Sequence, residues 1–185
     1  MIHKESAIEE RRTLLKENGR DKSVENAASQ THWFVHKNVI LGPISLLGET
    51  AQRIHTYSLV KEGKVDGEPA YVVAITPIEK TTAGLYGNAW IRKRDGAVFR
   101  LEWEPSSLGN HEIAERFSQK LGYTPKLTLT AEFQFEKNGL RFPNEYDVTE
   151  AYAGLRTNKG NILTQTTVTY KDYKFFKVET AVDIR

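Results

Sequence analysis

Between Lys126 and Glu136 apolar and polar residues alternate without a break. Leu127, Leu129, Ala131, Phe133 and Phe135 form one set, and Thr128, Thr130, Glu132, Gln134 and Glu136 the other. A period of two puts the first set on a buried face and the second in water, so the stretch reads as one strand. Ala97, Phe99, Leu101 and Trp103 repeat the rhythm against Val98, Arg100, Glu102 and Glu104. Strands that alternate this cleanly belong to antiparallel sheets with one covered face. Further strands are predicted over about 55–61, 70–77, 85–93, 141–151, 162–170 and 174–182. Pro143 has no amide hydrogen and demotes part of its strand to an edge or a bulge.

Asp66-Gly67, Asp95-Gly96, Asn138-Gly139 and the stretch Asn158-Lys159-Gly160-Asn161 separate these runs. Asn, Asp and above all Gly tolerate the positive φ of tight hairpin turns, so the connections are short and the strands form a meander. Ile113, Ala114, Phe117 and Leu121 recur at helical spacing ahead of Gly122, which predicts a helix over 110–121 ended by a glycine cap. A shorter helical turn is predicted over 43–47, with Pro43 near its start. Residues 5–17 lean to strand, because Asn18-Gly19 resembles a hairpin tip, and residues 21–30 are polar enough to read as a loop. The fold class expected is α+β, a curved antiparallel sheet with a few helices against one face, in a single domain over 1–185.

Composition narrows the function classes. Lys and Arg number 26 against 24 Asp and Glu, a formal charge of +2. The two signs are interleaved, as in Glu9-Glu10-Arg11-Arg12, so the basic footprint of a nucleic-acid binder is missing. The chain has no cysteine, which excludes disulfides, thiolate metal sites and a cysteine nucleophile. Its apolar runs, such as Tyr71-Val72-Val73-Ala74-Ile75, have strand length, so no transmembrane span is expected.

Candidate chemistry is sparse. His32 and His36 have the spacing of a helical zinc pair, yet Trp33 stands where a zinc protease carries glutamate, and the stretch reads as extended. His111, Glu112 and Glu115 fit the first turn of a helix, where acidic residues complement the macrodipole. Ser106-Ser107 follows Pro105 without the Gly-x-Ser-x-Gly setting of an activated nucleophile. Tyr170, Tyr173, Phe175 and Phe176, interleaved with Lys171, Lys174 and Lys177, read as a terminal strand that locks the sheet. No catalytic, metal or cofactor site is expected.

Three stretches carry a likeness. Gly42-Pro43-Ile44-Ser45-Leu46-Leu47-Gly48 is followed by Tyr71 to Pro77 and Asn88 to Glu102, and then by Asn138-Gly139-Leu140-Arg141-Phe142-Pro143. Their order over 40–182 resembles the bacterial outer-membrane lipoprotein-sorting proteins, the LolA/LolB-like fold. The resemblance implies an incomplete β-barrel whose concave face is covered by helices around an apolar cavity for acyl chains. It also implies a periplasmic carrier or sensor whose partner is a lipid or an acylated protein. Because Met1-Ile2-His3-Lys4-Glu5 is charged, the expectation is a domain without its leader and without most of the family's N-terminal helix. The residues expected to line the cavity are Trp90, Phe99, Leu101, Trp103, Leu129, Phe133 and Phe135. The same residues also fit a self-filled core, which would make the chain an envelope scaffold or adaptor working through an envelope protein partner. An enzyme needs convergent titratable groups, and the apolar strand faces carry none.

Overall fold

A computed structural model describes residues 12–27, 42–79, 86–108, 115–116, 118–120, 122–137, 139–154 and 161–173. The chain divides into two compact units, residues 1–30 and residues 31–185.

In the first unit, Asn18 and Gly19 take φ of 50° and 74°, the left-handed pair that a two-residue hairpin demands. They join β1 (Thr13–Glu17) to β2 (Arg20–Glu25) in antiparallel register. Thr13–Glu17 is strand, as expected. Asp21 to Glu25 departs from the expected loop: a polar sequence still forms a strand when a tight turn folds it onto a partner. Exposed ion pairs, Lys16–Asp21 at 3.8 Å and Lys22–Glu17 at 3.5 Å, flank that turn.

The second unit opens with two short helices, α1 (Gly42–Leu47) and α2 (Glu49–Ile54). Pro43 lies in the first turn of α1, where its missing amide costs nothing. The second helix was not foreseen; Glu49 and Arg53, four apart, close an ion pair of 2.6 Å along it. Seven strands then form one sheet. In sequence these are β3 (His55–Val65), β4 (Glu68–Pro77), β5 (Gly87–Arg92), β6 (Val98–Trp103), β7 (Tyr123–Glu132), β10 (Glu145–Gly154) and β11 (Asn161–Thr169). Their order across the sheet is 11-10-7-6-5-4-3, and every neighbouring pair is antiparallel. This is the predicted meander, and among the described residues the sheet does not close into a barrel. Asp66 and Gly67, with φ of 51° and 84°, make the turn between β3 and β4.

The predicted strand over 126–136 is cut short. β7 ends at Glu132, and Phe135–Lys137 (β8) pairs instead with Leu140–Phe142 (β9) in a separate hairpin. The hydrogen bonds explain the break. Asn144 N donates to Glu132 O at 2.9 Å, while its side-chain Oδ1 accepts from Gln134 N at 2.8 Å. Asn144 thus takes both backbone groups that would have continued the ladder. Pro143 separates β9 from β10, as its missing donor predicts. Of the expected helix over 110–121, residues 115–116 and 118–120 are helical, and Gly122 caps it with φ of 70°. The rest of that helix lies outside the described residues. So do most of the 158–161 turn, the predicted strand over 174–182, and His32, His36 and His111.

Candidate functional site

Cross-strand register defines the main face. Trp103 lies opposite Leu129 and Gly87, Leu101 opposite Ala131 and Ala89, and Val148 and Tyr146 continue the rows on β10. These side chains are buried together with Phe133, Ile75, Leu127, Leu46 of α1 and Leu108. Gly87 is needed here, since a Cβ would come within 2.1 Å of Glu102 O on the neighbouring strand.

Toward the β3 edge the same face loses its cover. Tyr57 pairs with Ile75, Leu59 with Val73 and Tyr71 with Ile91, and each of those partners is buried in the core or packs against it. Yet Leu59 is 62% exposed, and Tyr57 and Tyr71 are also open to solvent. Tyr57 donates its hydroxyl hydrogen to Leu46 O at 2.7 Å and so marks the border of the helix cover. Partial burial raises the pKa of that phenol.

The seven residues expected to share one hollow are divided. Leu101, Trp103, Leu129 and Phe133 meet in the main cluster. Phe99 joins Val65 and Ala70 in a second cluster, with Trp90 packed against it. The register slips between Trp90 and Ile91 against β6, so Phe99 is an extra residue and the alternation through Leu101 and Trp103 does not reach it. Trp90 lies opposite Val72 and Arg100, on the other face from Ala89. Its ring rests over Gly63, where a Cβ would approach to 2.8 Å, and Lys61 Nζ is 5.5 Å from the ring centre. Its buried Nε1 has no hydrogen-bond acceptor among the described residues. Phe135 stands on the β8–β9 hairpin, 37% exposed, stacked on Tyr173 with ring centres 5.0 Å apart. Tyr173 donates its hydroxyl hydrogen to Pro143 O, and burial raises its pKa to about 12.

Residues that pattern reading does not bring together build a cleft where α1, β5, β6 and the segment after β7 meet the β8–β9 hairpin; of the seven residues expected to line a cavity it includes Phe133 alone. It holds about 380 Å³ and is lined by Pro43, Val98 and Phe133 together with Arg92, Asp95, Glu136 and Arg141. Both guanidinium groups rest against Phe99, Arg92 at 4.8 Å and Arg141 at 4.9 Å from its ring centre. Arg92 donates from Nε to Asp95 Oδ1 at 2.7 Å and from Nη2 to Asp95 Oδ2. That fork, with the Ala97 amide, holds the Asp95 carboxyl down from 3.8 to about 2. Arg141 donates to Phe133 O at 3.2 Å and to Glu136 Oε2 at 2.8 Å. The Arg92-x-x-Asp95 spacing at a predicted turn is the signal that marks half of this cleft in the sequence.

Elsewhere the polar groups do structural work. Ser107 Oγ donates to Glu104 O at 2.7 Å and to Tyr86 O at 3.1 Å, and Ser106 Oγ is 2.8 Å from the Tyr86 hydroxyl. Both serines tie the Pro105–Ser107 turn to Tyr86. Among the described residues, no group of three or more His, Asp or Glu is placed to hold a metal, and no helix is long and apolar enough to cross a membrane. No family model, no curated protein and no solved structure matches the chain.

Proposed function

We propose that residues 31–185 form a non-catalytic binding module for an acyl chain, carried by a lipid or an acylated protein. In this reading the sheet is an incomplete barrel, its concave face partly covered by helices. The chain acts in the periplasm as a carrier or sensor of the lipoprotein-sorting kind that its motifs resemble. One observation supports the reading most: the core face continues onto Tyr57, Leu59 and Tyr71, which remain exposed although their cross-strand partners belong to or pack against the core. Apolar surface contiguous with a core gains most from a greasy guest. Burying a chain of roughly fifteen methylenes offers on the order of 10 kcal/mol before the costs of ordering it.

Displacement of a fluorescent fatty acid, with native mass spectrometry of the complex, tests this. The expected result is one acyl chain per protein. Leu59→Lys should weaken it by about tenfold or more, as loss of a leucine's buried area implies. Failure of every acyl probe to bind overturns the reading.

The packing of Leu101, Trp103, Leu129 and Phe133 into a buried cluster favours a second reading, an envelope scaffold or adaptor with a self-filled core. An envelope protein that still co-purifies after delipidation would support it.

A further inference from the structure

We infer that the cleft between Arg92 and Arg141 recognises the anionic end of an amphiphile, a carboxylate or phosphate group whose chain runs along Val98, Ile91 and Tyr71. The inference rests on the acyl-binding reading and assigns the ligand's polar end.

The geometry makes three separate contributions. First, the cations are held in place before any ligand arrives. Each guanidinium rests against Phe99 and is tied down on one edge, Arg92 by Asp95 and Arg141 by the Phe133 carbonyl. Little side-chain freedom is left to lose, which is the usual cost of recruiting an arginine to a ligand. A guanidinium carries five N–H donors, and the contacts of Arg92 leave Nη1 unused among the described residues.

Second, one carboxylate behaves as an exchangeable occupant. The side chain of Glu136 is 53% exposed, whereas that of Arg141 is 16% exposed. Ion pairs with such an exposed partner are weakly held. A ligand carboxylate with a buried tail can therefore displace Glu136 and keep the charge of Arg141 neutralised. Asp95, gripped through both oxygens, stays with Arg92 and orients it.

Third, the cleft is continuous with the apolar face. Val98 lines it and lies opposite Ile91, which lies opposite Tyr71, so one cross-strand row leads from the cleft to Tyr71, where Lys93 Nζ sits 4.6 Å from the ring centre and pairs with Glu62 of β3. Phe133, a member of the main core, forms another wall. The cleft volume falls at the lower end of the range for small-ligand sites, suited to a headgroup while the chain lies outside.

Binding of four probes to the full chain tests this: palmitate, hexadecyl phosphate, hexadecanol and inorganic phosphate. The two anionic amphiphiles should bind about tenfold more tightly than the alcohol of equal chain length, and inorganic phosphate should not compete. Glu136→Gln should widen that preference by removing the internal competitor, while Arg141→Gln should erase it, with both variants melting as cooperatively as the parent. Opposite responses of two neighbouring residues are not what a merely structural ion pair produces. Equal binding of acid and alcohol, or a shift of both variants in the same direction, overturns the subsite and leaves the acyl-chain reading standing. Binding of inorganic phosphate alone overturns the amphiphile as ligand, and no binding by any probe overturns both.

Discussion

Single side chains carry unequal loads in this sheet. Trp103 is 4% exposed and packs between Gly87 and Leu129 on neighbouring strands. Trp103→Ala should cost about 3–5 kcal/mol of stability, read as a lower urea midpoint; a loss below about 1 kcal/mol would mean that the site collapses around the gap. Gly87→Ala acts by the reverse mechanism. The added methyl meets backbone rather than a flexible side chain, so β5 and β6 must part, at about 1–3 kcal/mol in the same assay. Asp95 should add to the protein's acid sensitivity. Its folded pKa, about 2, is depressed below its ordinary 3.8 by the Arg92 fork. The stability it contributes is therefore complete above about pH 4 and is lost as pH falls toward 2. Asp95→Asn should flatten that part of the acid-unfolding curve, and an unchanged slope would show that other carboxylates dominate it.

Elements were legible where local chemistry decided them. Asp66-Gly67 and Asn18-Gly19 announced their hairpins because their positive φ excludes most other residues. The alternation in β7 was equally plain up to Glu132. Beyond it the pattern continues through Phe135 and misleads, because the chain leaves the ladder for a partner ten residues downstream: the Asn144 side chain takes the Gln134 amide. The bulge that turns Phe99 away from Leu101 was invisible for a similar reason, since it exists only in the register between two strands. The candidate site divided in the same way: Leu101, Trp103, Leu129 and Phe133 were readable by periodicity, whereas Arg92 and Arg141 became neighbours only through Phe99. Asn144→Ala tests the hairpin argument. It should cost about 1 kcal/mol and strip hydrogen-exchange protection from the Gln134 amide while leaving the β7–β10 ladder protected. Equal loss of protection along that ladder would place the hairpin inside the sheet's cooperative unit.

Across the whole molecule, an antiparallel meander leaves two edges. Among the described residues β3 and β11 each pair with one neighbour, and β3 is long, with Val60 56% exposed beside Leu59. Such an edge is a template for another strand. Val60→Lys, at the bulge where the residue has no cross-strand partner, should raise the concentration at which light scattering detects self-association without lowering the melting temperature. Unchanged scattering would show that the edge is guarded in some other way. The break after β7 carries a different lesson. Glu132 and Glu145 face each other directly, so the sheet is already stitched shut beneath the β8–β9 hairpin. Burial, with the charges of Asp147 and Glu132 nearby, raises the pKa of Glu145 there, while Arg100 Nε donates to Glu132 Oε1 at 2.5 Å. Residues 134–143 are therefore a cartridge: a foreign hairpin of equal span could be spliced in without unpicking a single rung between β7 and β10.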